Sequence, residues 1–278
     1  MKNLVVRALT GIVFVAIILG AILVNPVLFA VVFAAITALA IWEFCSLVNA
    51  REDVHANRFI CTVGGVYLFF AFFGYSINYS GASIFIPYLI ILLYLLVSEL
   101  YLKRENPMNN WAYAMLSQLY IALPFALLNT LAFQFSLTNA AVTFTPLYPL
   151  SLFLFLWSND TGAYCSGMLL GKHKLFPRIS PKKSWEGSIG GGILAFAVSV
   201  LICYFFVKTD YLQWAGFALV VVVFGTWGDL VESLLKRQLG IKDSGHILPG
   251  HGGILDRMDS SLLAIPASVI YLYTLSIL

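Results

Sequence analysis

The sequence WGDLVESLLKR at 227–237 puts two carboxylates, a hydroxyl and an ammonium at helical spacing. Asp229, Glu232, Ser233 and Lys236 stand at i, i+3, i+4 and i+7, so a helix presents all four on one face. A Glu232–Lys236 pair satisfies part of this stripe and leaves Asp229 unaccounted for. The next segment supplies Lys242, Asp243, His246, His251, Asp256, Arg257 and Asp259, with Gly245, Pro249, Gly250, Gly252 and Gly253 bending the backbone. Asp256 and Asp259 share a face if a helix has begun there; otherwise Asp259 is that helix's N-cap. Carboxylates and hydroxyls without a thiolate suit Mg²⁺ better than zinc. The two histidines read most simply as hydrogen-bonding groups.

A second polar segment, GKHKLFPRISPKKSWEGSIGGG at 171–192, carries Lys172, Lys174, Arg178, Lys182 and Lys183 ahead of a helix start. Cations beside the free N–H groups of a helix N-terminus make a polyanion site. Ser184 and Glu186 are placed to cap and charge-balance that helix, and Gly187 with Gly191 is a small-residue packing pair. Just upstream, Asp160 lies in LWSNDTGAY, roughly 15 Å inside an apolar helix at about 1.5 Å per residue. A carboxylate at that depth costs at least about 2.5 kcal/mol and needs a partner or a wet cavity. Glu43 and Glu99 also fall within apolar runs and are weaker candidates on the same ground.

The elements that must position these groups are membrane helices. Of 278 residues, 60% are hydrophobic and 10% charged, and mean hydropathy is +0.90; soluble domains carry about 25% charge. Apolar runs near 8–24, 27–49, 59–79, 83–101, 111–136, 147–170, 187–207, 214–235 and 260–278 each suffice to cross about 30 Å of hydrocarbon. The fold class is therefore all-α and polytopic, with about nine spans. Asn25-Pro26 separates the first two. The alternating segments of a membrane barrel are absent. With the loops numbered alternately, fifteen of the sixteen Lys and Arg fall on the side of the N-terminus and only Lys208 lies opposite. That skew predicts a cytosolic N-terminus and, for nine spans, an external C-terminus. The first run reads as an uncleaved helix, and the four cysteines as packing residues. The chain reads as a single integral membrane domain over 1–278, with a motif-poor part at 1–146 and a catalytic part at 147–278.

Segments 171–186 and 236–259 are separated by two spans and so face the same, cytosolic, side. Carboxylates for a divalent cation, phosphate-seeking cations and open membrane together point to phosphoryl or nucleotidyl transfer to a lipid. No Walker-type phosphate loop is present. A proton-coupled carrier using Asp160, Asp229 and Glu232 is the rival reading. Convergence of the polar residues on one face argues against it.

The run from Ser233 through Lys236-Arg237, Lys242-Asp243, Pro249 and His251-Gly252-Gly253 to Asp256-Arg257-Met258-Asp259 resembles the signature of the phosphatidate cytidylyltransferases, the CDP-diacylglycerol synthases. SPKKSWEG at 180–187 and DTGAY at 160–164 are similar to that family's other polar segments, so the resemblance covers roughly 155–260. It implies conversion of phosphatidate and CTP to CDP-diacylglycerol and pyrophosphate, with Mg²⁺ as cofactor. It associates Asp229 and Asp256 with the metal; Asp160, Glu232 and Asp259 are further candidate ligands. Lys236, Arg237, Lys242 and Arg257 join the catalytic set, and Lys182, Lys183, Ser184, Glu186, Ser233, His251, Gly252 and Gly253 the substrate-binding set. A CTP-dependent polyprenol kinase, or a cytidylyltransferase acting on ether-linked isoprenoid lipids, is the alternative within the enzyme class. The resemblance also implies a homodimer. The short chain, without an organelle-targeting segment or soluble extension, predicts a bacterial inner membrane, with the site at its cytosolic face by the basic-residue skew and no nucleic-acid partner.

Overall fold

The structure is a computed structural model and describes residues 2–136, 140–245, 247, 248, 250 and 252–275. His246, Pro249 and His251 lie outside the described residues. Among the described residues, ten α-helices run in chain order: α1 Lys2–Leu23, α2 Pro26–Val48, α3 Arg58–Ser76, α4 Ile86–Leu102, α5 Pro107–Leu116, α6 Leu123–Ala132, α7 Leu147–Leu170, α8 Trp185–Ile202, α9 Tyr211–Gln238 and α10 Leu255–Thr274. A π-turn at Ser117–Ala122 joins α5 to α6, so Pro107–Ala132 is one helical passage. Among the described residues, six passages are long and apolar enough to cross a membrane: Pro26–Val48, Arg58–Ser76, Ala82–Leu102, Pro107–Ala132, Trp185–Val207 and Tyr211–Gln238. The other three expected spans are helical too, as α1, α7 and α10. The chain is thus an all-α polytopic membrane protein.

Local chemistry sets the boundaries. Pro26 opens α2 while Asn25 Oδ1 accepts from Leu28 N at 2.8 Å, an N-cap that splits the first two helices as expected. Two short hairpins were not expected. In one, β1 (Phe133–Ser136) pairs antiparallel with β2 (Ala141–Phe144), so the helix expected to reach residue 136 stops at Ala132. Phe133 turns extended there and packs edge-on to Phe73 and Phe29, a burial the helix could not offer it. In the other, β3 (Lys174–Phe176) pairs with β4 (Ser180–Ser184) across what reads in sequence as a loop.

Two compact units divide the chain. The first comprises Met1–Pro146 with Asp243–Met258; the second comprises Leu147–Lys242 with Asp259–Leu278. The core of the first gathers Phe29, Phe33, Phe44, Phe69 and Phe125, all fully buried. Polar side chains tie its helices together: Gln118 Nε2 donates to Cys61 O at 2.9 Å and Asn129 Nδ2 to Phe69 O at 3.2 Å. Glu99 belongs to this scaffold. Buried to 8% exposure, it accepts from Arg104 at 3.1 Å and from Asn110 Nδ2 at 2.8 Å. The second unit centres on Trp214, stacked on Tyr148 at 5.2 Å, with Phe217 edge-on to Trp214 and to Phe155. There α7 and α8 meet along glycines. A Cβ on Gly162 would stand 2.9 Å from both Gly190 O and Gly191 Cα, closer than real Cβ atoms come. The expected small-residue pair is thus a backbone-to-backbone seam, drawn tight enough for α8 to start beside α7.

Candidate active site

In the second unit, the stripe on α9 forms as the spacing predicts. Ser233 Oγ donates to Asp229 Oδ1 at 3.1 Å. Lys183 Nζ, carried by β4, makes an ion pair with Asp229 Oδ2, the partner that the α9 stripe alone could not supply. Both side chains are about a quarter exposed (27% and 28%), so the pair opens at modest cost. Lys236 Nζ sits 2.5 Å from Glu232 Oε2 in an i,i+4 pair, and Glu232 is 0% exposed. Removing one member there strands a buried charge, which makes this pair a structural commitment.

Next to the stripe, Asp259 Oδ1 accepts from Ser260 N at 2.5 Å. The carboxylates of Asp229, Glu232 and Asp160 are all near enough to act on Asp259 electrostatically. Asp259 sits within α10, which begins at Leu255, so the N-cap reading is corrected: the helix starts a turn earlier.

A cavity of about 220 Å³ opens beside these groups, lined by Asp160, Lys182, Lys183, Ser184, Thr226 and Ser260 among others. Its wall includes the first turn of α8. Ser184 Oγ caps that helix, accepting from Gly187 N at 3.1 Å, while Gly187 and Ser188 also line the space. Two ammonium groups and a helix N-terminus on one wall suit a polyanion, and Asp160 on another suits a cation brought with it. Glu186 does different work. It accepts from the N–H of Lys172 and of His173 at 3.2 Å and faces His173 Nδ1 at 2.6 Å, bracing the entry to β3. Arg237 donates to Ile241 O at 3.1 Å beyond the end of α9, and Lys242 is exposed.

The first unit holds the rest of the signature run, and there Glu43, a weaker candidate on sequence grounds, contacts it. Glu43, on α2 and 6% exposed, accepts from the hydroxyl of Ser244 and, through Oε2, from Ile254 N at 2.9 Å. Asp256 Oδ2 accepts from Ser244 N and Gly253 N, each at 2.8 Å, and Asp256 N donates to Ser244 Oγ at 3.3 Å. Gly253 lies so close to the Glu43 carboxylate that a Cβ there would overlap it. Gly252, at φ +83°, adopts a left-handed turn against Asp256. Arg257 is exposed. The only sequence signal for Glu43 was its position as a carboxylate in an apolar run; its partner Ser244 stood out in no way.

A polytopic membrane protein with a polar cavity walled by two lysines, an aspartate and a helix N-terminus is the class that fold and geometry define. The chain matches the model of the cytidylyltransferase family over residues 5–275, and it belongs to that family. It is similar to the phosphatidate cytidylyltransferase of Haemophilus influenzae, 33% identical over 276 residues that cover 94% of this chain and 95% of the relative. Phosphatidate cytidylyltransferases of Staphylococcus aureus and Staphylococcus haemolyticus are each 51% identical over 121 residues, 43% of this chain and 46% of theirs. The likeness read from the polar segments thus extends through the N-terminal half, where no motif had been recognised.

Proposed function

We propose that this protein transfers the cytidylyl group of CTP to phosphatidate, giving CDP-diacylglycerol and pyrophosphate, and that it does so with Mg²⁺. The cavity carries the reading: Lys182, Lys183 and the α8 N-terminus line it together, with Asp160 beside them. Membership of the cytidylyltransferase family supports the reaction type.

In the proposed reaction a phosphate oxygen of phosphatidate attacks the α-phosphorus of CTP in line. The new O–P bond forms as the bond from that phosphorus to the β-phosphate's bridging oxygen breaks, and pyrophosphate leaves with the electron pair. A phosphate monoester is largely ionised at neutral pH, so no strong general base is required. Lys182 and Lys183 would bind and orient the CTP phosphates and offset the charge that accumulates on the leaving group. Asp229 would release Lys183 to the incoming phosphates.

Mg²⁺ is commonly held by one or two carboxylates together with substrate phosphates. Asp229 and Asp259 offer an all-oxygen donor set of that kind in the second unit, with Asp160 and Glu232 nearby. Among the described residues, no three His, Cys, Asp or Glu side chains gather into a metal cluster. When bound, the ion would neutralise charge on the transferring phosphoryl group. For Asp256 the resemblance is the support for a metal role, as it is for the substrate contacts of Lys242, Arg257 and His251. The proposal also includes nine spans with a cytosolic N-terminus, an active site at the cytosolic face of a bacterial inner membrane, and a homodimer.

Purified protein in detergent, given phosphatidate, Mg²⁺ and CTP labelled at either the α- or the γ-phosphate, tests the reading. Label from the α-position entering lipid, abolished by chelator and by Asp229→Asn, is the expected result. Label entering only from the γ-position would make the protein a lipid kinase and overturn it.

A further inference from the structure

We infer that Glu43 is a positioning residue for the signature segment 243–258, acting through the backbone of that segment on the Asp256 carboxylate. The inference deepens the functional reading above and rests on it for its kinetic part. Three observations carry it. The Glu43 carboxylate engages both ends of the loop, through the Ser244 hydroxyl and the Ile254 amide. Those contacts neighbour the amides of Ser244 and Gly253, which hold Asp256 Oδ2 at 2.8 Å each. The loop is also shaped to admit this side chain. A Cβ on Gly245 would stand 2.9 Å from Glu43 Cδ, and one on Gly253 would overlap the carboxylate.

A carboxylate that is 6% exposed inside an apolar helix is expensive unless fully hydrogen-bonded. Here the loop supplies the donors, and the carboxylate fixes the distance between residues 244 and 254. The network therefore runs from Glu43 to Ser244 and Ile254, and from Ser244 and Gly253 to Asp256. Glu43 itself touches no reacting atom in this scheme.

The test uses full-length protein in detergent, with wild type, Glu43→Ala, Glu43→Gln and Ser244→Ala compared by steady-state kinetics and by amide hydrogen exchange. Glu43→Ala is expected to speed exchange by at least about tenfold at Ile254, whose amide loses its acceptor, and at Ser244 and Gly253, whose acceptor Asp256 is then held by a loosened loop, with α7–α9 unchanged. The same variant is expected to lower kcat by at least tenfold while the KM for CTP stays within about twofold. A glutamine can accept from Ile254 N and donate to Ser244 Oγ, so Glu43→Gln should recover most of both losses. Ser244→Ala should shift exchange and kcat in the same direction as Glu43→Ala. Should Glu43→Ala prove unable to fold, Ser244→Ala decides: wild-type exchange and turnover in that variant overturn the inference. So does any Glu43→Ala that slows turnover while loop exchange is unmoved. If wild type itself fails to transfer cytidylyl groups, the functional reading falls. The exchange data would then still decide whether Glu43 holds the loop.

Discussion

The Lys183–Asp229 pair connects the β3–β4 hairpin to α9, and its strength is predictable from its setting. Two unit charges 4 Å apart interact by about 4 kcal/mol at an effective dielectric near 20. With each side chain about a quarter exposed, solvent screening reduces that figure. Exposed pairs contribute about 0–1 kcal/mol, whereas breaking a buried one costs about 3–5 kcal/mol. A coupling of about 1–2 kcal/mol follows, equivalent to about 5–30-fold in an equilibrium constant. The perturbation is a double-mutant cycle of Lys183→Met and Asp229→Asn, read by unfolding with SDS in mixed micelles. Each single variant should destabilise, and the double variant should be less destabilised than the sum by the coupling energy. In parallel, Lys183→Met should lower kcat/KM for CTP by about 10–100-fold, since a lost charge-assisted hydrogen bond to phosphate is worth about 1.5–3 kcal/mol. Single-variant losses that add to within about 0.5 kcal/mol would show that the two groups do not act on one another. Unchanged kcat/KM in Lys183→Met would remove this lysine from the phosphate site.

Glu232→Ala should destabilise the fold by about 3–5 kcal/mol by stranding Lys236, and the Glu232→Met/Lys236→Met double variant should recover most of that loss in the same SDS titration. Ser184→Ala removes the α8 cap and should cost about 1 kcal/mol, with increased amide exchange confined to residues 185–188. Gly191→Val places branched carbons where α7 backbone passes and should lower the thermal midpoint in detergent by several degrees; Gly20→Val, with open space at its Cβ, should leave it unchanged.

Helix positions were legible because a membrane span is a one-dimensional signal: enough apolar residues in a row, ended by Asn25-Pro26 or a charged loop. The α9 stripe was equally legible, since i, i+3, i+4 and i+7 fix a face without reference to anything distant. What the chain could not reveal were partners set by tertiary packing. Asp229 finds Lys183 on another element, and Glu43 finds Ser244 at a separation of 201 residues. The β3–β4 hairpin escaped notice because its strands are three and five residues long, too short for alternation to register. The end of α6 was misplaced for a related reason. FQFS is apolar enough to continue a helix, and the aromatic packing of Phe133 decides otherwise.

The separation between Glu43 and its loop has a consequence for biogenesis. At about 5–20 residues per second, a ribosome needs about 10–40 s to travel from Glu43 to Ser244. For most of that interval α2 has left the ribosome while the residues that will engage its carboxylate do not yet exist. The helix can wait because its own composition outweighs the burden. Twelve Val, Leu, Ile and Phe residues at about 0.3–0.6 kcal/mol each favour insertion by about 4–7 kcal/mol. A carboxylate at a helix centre costs about 2.5–3.5 kcal/mol, and less near an end, where Glu43 sits. Nascent chains stalled before residue 243 should therefore contain an integrated α2 whose Glu43 is still reactive towards a carboxyl-directed reagent. Chains released after residue 258 should have that group shielded.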